Sequence, residues 1–567
     1  MTNISLMVRK HWKIWRWWCL AIVITVQMIG VFEASWINAD EQYQLGISHA
    51  IRDGHNQSIR LLNKKRSQID ISNPARFVSL RQPPGYALIF SSMISSDINP
   101  LVIDLVIDLS MTLVFLFAWF LILERIGPAI GVWPRVIFWA VWLIFPSALI
   151  EAANTGHSTG FMTVALFSVA VGAGMQVISK GRMTRQAGFA VLAGLVMGLA
   201  AVLHYQYWVI AVILPLSWIA YTALYRRSPG YLSRLAVVCS VYSFFVFLFI
   251  IPVAVNNHML KGHITRLNPA ASDTVNLEHL AYIIRFPIYS LGFEPLRFTA
   301  SVSPIPLDLW SLLTVLLLLI IGWNIWLWAR HAESGFGRNH RGNLDNTASD
   351  AHEATRYIIL SGIVTTLVIT GFLALVSVQS EVHKYRGGWV PLAELRYYLP
   401  VFPFLLLGIT LGFSERFQSV NKSWVVRITR VTATAMILLG LSPQVIDRVR
   451  KVEENVTEPT KLNRGYLREL LQDMASSSPG EDVVIYTRTQ NGLRNSALAA
   501  NLPAAQVDPV LGFNSLQPTA IIFYYRGPQE NWILDSVHGK PITQKEYQQG
   551  ILYHYHFNPR TAEASEP

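Results

Sequence analysis

Charge and cysteine are both scarce in this 567-residue chain. Asp, Glu, Lys and Arg together supply 14% of it, whereas soluble domains are usually nearer a quarter charged. The two cysteines, Cys19 and Cys239, sit inside apolar stretches, which speaks against a disulfide framework, a thiol nucleophile or a cysteine metal site. No internal repeat of the transporter type is visible. A basic face is missing as well. The formal charge is +11, but Lys and Arg cluster in short segments between apolar stretches, the positive-inside pattern of membrane proteins rather than a nucleic-acid footprint.

What the chain has is long apolar runs. Hydrophobic residues make up 52% of it, gathered in blocks of about twenty, the length that crosses a hydrocarbon core. The blocks lie near 17–37, 101–123, 133–150, 158–178, 187–203, 206–225, 234–254, 307–329, 357–379, 393–413 and 425–445. The expected fold is therefore a polytopic α-helical membrane protein with about eleven spanning helices. Arg9, Lys10, Lys13 and Arg16 precede the first block. That block is too long for the core of a signal peptide, and no small-x-small cleavage site follows, so it reads as a retained first helix with a cytoplasmic N-terminus.

Alternation through the membrane then puts 180–185, 226–234, 330–356 and 414–427 inside, and each of these loops is basic. The 330–356 loop is polar and Gly/Asn-rich, and is expected to be flexible. The outer face receives 38–99, 151–157, 255–306, 380–392 and the tail. Lys64, Lys65 and Arg66 in 38–99 run against the charge bias, although that piece is too long for the rule to bind strongly. The division is a membrane unit over 1–445 and a soluble outer-face unit over 446–567. β-rich runs at 483–487, 520–526 and 552–557, with a helix-like stretch near 461–475, give the tail a small α/β character.

Candidate chemistry concentrates on the outer face. Asp40, Glu41 and Tyr43 follow the first span, and a carboxylate at a membrane rim can serve as general base toward a hydroxyl acceptor, although acids are also ordinary at solvated helix ends. Arg81-Gln82-Pro83-Pro84-Gly85-Tyr86 has the rigid, turned backbone that holds a side chain in place. An arginine there also suits an interfacial anchor. Glu151, Asn154 and His157 form a polar rim that either binds acceptor or a divalent cation or simply terminates helices. The metal requirement stays open. Asp104 and Asp108 share one helix face near the outer end of the second span. His554 and His556 alternate on one strand, where a surface aromatic strand is a better account than a metal site. The 277–291 stretch, with Arg285, reads as an amphipathic helix lying on the membrane or as a loop packed under the tail.

The Asp-Glu opening of the first outer loop, its nearby tyrosine and the later Pro-Pro segment resemble the membrane glycosyltransferases of the C-type fold. That superfamily includes protein O-mannosyltransferases and lipid A aminoarabinose transferases. Gly194-Leu-Val-Met-Gly198-Leu-Ala200 followed by His204-Tyr205 is similar to the family's glycine-containing helix with a polar outer end. Arg396-Tyr397-Tyr398-Leu399-Pro400 resembles its Arg-Tyr-x-x-Pro start of a late helix. The resemblance spans roughly 15–445 and implies inverting transfer of a sugar from a polyprenyl-phosphate donor to a glycan, lipid or protein acceptor at the outer face of the plasma membrane. It implies Asp40 as catalytic acid/base with Glu41 beside it. Cations for the donor phosphate would come from Arg81, Arg396, Lys384, Arg386 and His204, with an arginine fork the best fit. Tyr43, Tyr86, Glu151, Asn154 and His157 would line the acceptor cavity. Family members often carry a basic residue where this chain has His204. A transporter or flippase would need paired repeats and broken helices, which are not seen. A non-catalytic subunit of an envelope-glycan assembly would normally lose the Asp-Glu pair, which this chain keeps.

Overall fold

The computed structural model describes residues 2–33, 39–55, 58–60, 76–78, 83–93, 100–144, 158–179, 181–226, 229–262, 264, 283–289, 309–336, 346–378, 383–385, 388–390, 395–414, 424, 427, 430–435, 437–438, 483–486, 504–505, 520–526, 543–547 and 550–557. Helices occupy the apolar blocks. In chain order they are α1 (Thr2–Glu33), α2 (Ala39–Arg52), α3 (Gly85–Met93), α4 (Pro100–Ile130), α5 (Val132–Ile144), α6 (Ser158–Val177), α7 (Met183–Leu203), α8 (Gln206–Ile210), α9 (Ile213–Tyr225), α10 (Pro229–Lys261), α11 (Phe286–Tyr289), α12 (Leu309–Phe336), α13 (Asn346–Val378) and α14 (Phe402–Thr410). Among the described residues, six stretches are long and apolar enough to cross a membrane: Val106–Ile130, Met183–Leu203, Gln206–Tyr225, Gly230–Leu260, Leu312–Arg330 and Ser349–Val376. Ile14–Met28, Met162–Val177 and Phe402–Phe413 are shorter apolar helices. This is the make-up of a multi-pass membrane protein.

Two devices hold the bundle together. The first is close backbone approach. A Cβ at Gly194 would stand 2.7 Å from the Tyr242 carbonyl oxygen, and one at Gly198 would stand 3.2 Å from that of Phe245. Small residues four apart therefore let α7 lie directly on α10, the way helices associate where lipid removes the hydrophobic drive. The second is aromatic packing. Trp119 of α4 stacks near Phe138 of α5 at 5.6 Å and meets Phe404 of α14 edge-on at 5.4 Å. Its indole N–H donates to Ser168 Oγ of α6 at 3.1 Å, which satisfies a polar group that lipid could not.

Contacts between helix ends sort into two sets. In one, Glu124 at the end of α4 bridges Arg16 of α1 and Arg135 of α5, the latter at 3.0 Å, and the Arg135 guanidinium covers the Trp12 ring at 4.6 Å. Arg226 pairs with Glu353, and Arg125 pairs with Asp350 at 3.3 Å. Ser414 Oγ donates to the Ile130 carbonyl at 2.8 Å. All these groups lie at the ends that the alternating topology assigns to one side, the basic side. The other set joins residues near 85, 202–206, 257–264, 283–288 and 395–398, all assigned to the opposite side.

Of the 330–356 segment, expected to be a flexible loop, the two described ends are helical, and residues 337–345 lie outside the described residues. Helix α12 runs on to Phe336 and α13 starts at Asn346. Asp350 and Glu353 pair with arginines of neighbouring helices, while Ala351, Ala354 and Tyr357 are buried between them. The polar start of α13, at 346–356, is thus a helix that uses its charges sideways.

In the tail, β5 (Val483–Tyr486), β6 (Ala504–Ala505), β7 (Ala520–Arg526), β8 (Thr543–Tyr547) and β9 (Gly550–Phe557) form one sheet in the order β6-β5-β7-β9-β8. The β5 strand is parallel to both β6 and β7, whereas β9 is antiparallel to β7 and β8. The three β-rich runs of the sequence are β5, β7 and β9, with His554 opposite Phe523 and His556 opposite Ile521. The helix-like 461–475 stretch lies outside the described residues.

Candidate functional site

The site is built at the end of α7. The helix stops at Leu203 because His204 turns extended (φ −151°, ψ 127°), and the chain re-enters a helix at once through Tyr205 (φ −59°, ψ −29°). His204 Nδ1 accepts the Gln206 backbone N–H at 3.2 Å. An N-cap side chain does the same for the second N–H of a helix. Accepting there leaves the ring hydrogen on Nε2, so neutral His204 keeps one N–H donor. The Gln206 side chain, 6% exposed, donates through Nε2 to the Tyr397 carbonyl at 2.8 Å. The His204 and Tyr397 rings lie 5.7 Å apart. Tyr397 belongs to a short 3-10 helix, Leu395–Tyr398, and that helix carries Arg396. Two motifs separated by 190 residues of sequence therefore meet.

Other elements close on the same place. Pro83 and Pro84 are buried ahead of α3, and α3 docks on α7 where Gly85 touches the backbone of Val202. Helix α2 packs on α3, and Asp40 and Glu41 stand in its opening turn. After α2, β1 (Ser58–Arg60) pairs antiparallel with β2 (Arg76–Val78). Residues 283–288 cover the 3-10 helix, with the Phe286 ring 5.7 Å from that of Tyr398 and Arg285 only 3% exposed. These described residues of the 277–291 stretch are thus packed into the bundle, with Ile284 alone exposed, rather than laid out along one membrane-facing side.

The end of α10 locks the turn from another side. Asn257, fully buried, donates to Tyr205 Oη at 2.8 Å and to the Ile264 carbonyl at 2.9 Å. Burial pushes the Tyr205 phenol up to about 12, partly opposed by the Asn257 hydrogen bond. Tyr205 therefore stays neutral at working pH and is not a base. Trp208 Nε1 donates to the Ala201 carbonyl at 2.9 Å and completes the turn.

The structure thus joins His204 to the 3-10 helix that carries Arg396, and α3 links the end of α7 to α2, the helix that carries Asp40, Glu41 and Tyr43. Tyr86 is there too, but it is fully buried against Phe90 at 5.1 Å, in the packing between α3 and its neighbours. Lys384 lies on β3 (His383–Tyr385), opposite Trp389 of β4 (Gly388–Val390). Arg81, Arg386, Glu151, Asn154 and His157 lie outside the described residues. Asp108 is 3% exposed within α4 and Asp104 stands one turn earlier on that helix. Among the described residues no three His, Cys, Asp or Glu side chains gather as a metal site requires. Gln206 and Asn257 were not singled out from sequence, and Tyr205 entered only as part of the His204-Tyr205 motif. Their signal is the presence of uncharged polar groups at the exact joints between apolar runs, where lipid offers no partner.

Fold and site together define a multi-pass membrane protein with polar groups converging at one end of its bundle. Among solved structures the chain is similar to ArnT from Cupriavidus metallidurans bound to undecaprenyl phosphate, with a TM-score of 0.52 and 11% identity over 95% of this chain and 98% of that one. It is also similar to the apo state of the same ArnT (TM-score 0.44, 13% identity, 94% of this chain and 97% of that one). A third likeness is to the archaeal oligosaccharyltransferase AglB from Archaeoglobus fulgidus in complex with an inhibitory peptide and a dolichol-phosphate (TM-score 0.43, 12% identity, 87% and 64%). The first likeness establishes the fold, which is the C-type membrane fold that the sequence resembles. No protein-family model and no curated protein sequence matches the chain.

Proposed function

We propose that the protein is an inverting glycosyltransferase that moves a sugar from a polyprenyl-phosphate donor to an acceptor at the outer face of a bacterial inner membrane. In this reading the chain crosses the membrane eleven times, with the N-terminus cytoplasmic and the 446–567 unit a soluble α/β domain on the outer side. The observation that carries it is the meeting of His204 with the Arg396-bearing 3-10 helix at the end of α7 where α3 docks, the Asp40-bearing α2 being packed on α3. An acid to take the acceptor proton and cations to hold a departing phosphate are what this transfer requires. The fold shared with an ArnT bound to undecaprenyl phosphate supports the choice of donor class.

Asp40 accepts a proton from the acceptor hydroxyl or amine, and the freed electron pair attacks the anomeric carbon from the face opposite the phosphate. The bond from that carbon to the phosphate oxygen breaks as the new one forms, which inverts the centre. Polyprenyl phosphate leaves with the bonding pair, its added charge met by Arg396 and Arg81, with Lys384 and Arg386 nearby and the His204 N–H as a neutral donor. Glu41 stands next to the base. Tyr43, Glu151, Asn154 and His157 belong to the acceptor side of the cavity, whereas the buried Tyr86 supports it from within the packing of α3. The test is Asp40→Asn in proteoliposomes. Transfer should fall at least ~100-fold while polyprenyl phosphate still binds. Full transfer by that variant rules out Asp40 as the base.

A further inference from the structure

We propose that Gln206 is the positioning residue that sets the spacing between the two halves of the donor-phosphate site, an inference that rests on the function proposed above. A single residue reaches both halves. Its backbone N–H fixes the His204 ring through Nδ1 at 3.2 Å, and its side-chain amide holds the Tyr397 carbonyl at 2.8 Å, beside Arg396.

The physical case is one of necessity on each side. His204 sits in the break between two helices, and the first N–H of α8 holds its ring through Nδ1. The Leu395–Tyr398 segment is a 3-10 helix of only four residues, too short to hold its own orientation. The Tyr397 carbonyl, in a membrane-facing bundle, needs a donor. Gln206 is buried and meets that need. Removing the amide takes away this hydrogen-bonded tie between the Arg396-bearing segment and the His204 turn without touching a charge. Gln206 itself contacts no reacting atom in this scheme and acts through the two groups it spaces.

The experiment uses the full chain in lipid nanodiscs with undecaprenyl phosphate as the probe. Gln206→Met keeps volume and the backbone N–H but removes the amide donor. It should weaken undecaprenyl phosphate binding about tenfold, equivalent to ~1.4 kcal/mol, and raise the donor KM while the acceptor KM holds. A double-mutant cycle with His204→Ala separates positioning from general damage. If the amide holds the Arg396-bearing segment in register with His204, the second substitution costs clearly less in the background of the first. Strict additivity in the cycle, or unchanged binding in Gln206→Met, overturns the proposal while leaving the glycosyltransferase reading intact. If the wild-type protein fails to bind undecaprenyl phosphate, the donor site falls, and this inference with it.

Discussion

Gly85→Ala tests how tightly the site depends on the docking of α3 against α7. A Cβ on Gly85 would stand 2.6 Å from the Val202 carbonyl oxygen and 2.8 Å from its carbon, where ordinary contact begins at 3.4 Å. The obstacle is helix backbone, which cannot rotate away as a side chain can. Helix α3 must therefore withdraw by about 0.8 Å, and overpacking of this kind costs about 1–3 kcal/mol. Helix α2, which carries Asp40 and Glu41, rests on α3 and moves with it. A misplacement near 1 Å at a reacting centre can cost about 100-fold in rate. Gly85→Ala should then fold and reach the membrane, yet transfer sugar about 10- to 100-fold more slowly than wild type. Gly188→Ala is the control. It lies on α7, and an added Cβ there meets nothing within 4 Å, so activity should be unchanged. Transfer rates of the purified proteins in nanodiscs, with thermal melts alongside, provide the readout. Wild-type activity in Gly85→Ala would refute the idea that α3 sets the position of the catalytic acids.

Two further outcomes follow from the charges and the joint. Glu124→Gln leaves Arg16 and the buried Arg135 facing each other without their shared counter-charge, so thermal stability should drop by the equivalent of about 3 kcal/mol, with undecaprenyl phosphate binding at the opposite end retained. Tyr205→Phe addresses alkaline stability. A phenol raised to about 12 in the fold from 10 in the unfolded chain contributes stability that is complete below about pH 10 and is lost as the pH rises toward 12. Melting curves across that window should fall more steeply for wild type than for Tyr205→Phe, whereas the acidic side should match.

The helical membrane class was readable because apolar runs of spanning length have few other uses, and the described helices occupy the runs from 17–37 to 393–413. On the side that the alternation assigns to the basic loops, Arg125, Arg135 and Arg226 all pair with acids of other helices. Sequence missed what those arginines pair with. Glu124 ends an apolar run, and Asp350 and Glu353 sit in a stretch whose Gly/Asn-rich composition reads as a loop. Periodicity cannot report that Ala351, Ala354 and Tyr357 form a buried stripe continuing α13. At the site, His204 and Arg396 were each visible as polar residues at helix ends. Their proximity was not, because it depends on the glutamine two residues after His204 reaching a backbone carbonyl. A backbone acceptor leaves no mark in a sequence. The glycines of α7 were visible as a motif, but their partner, the carbonyl row of α10, was hidden for the same reason.

The central claim is most directly tested by following label from radiolabelled polyprenyl-phosphate sugars in purified membranes that contain the wild-type protein. The account predicts that label from at least one donor reaches an acceptor and that unlabelled polyprenyl phosphate is released. Donor left intact across a broad panel of sugars, with acceptors of glycan, lipid and protein supplied, would contradict it.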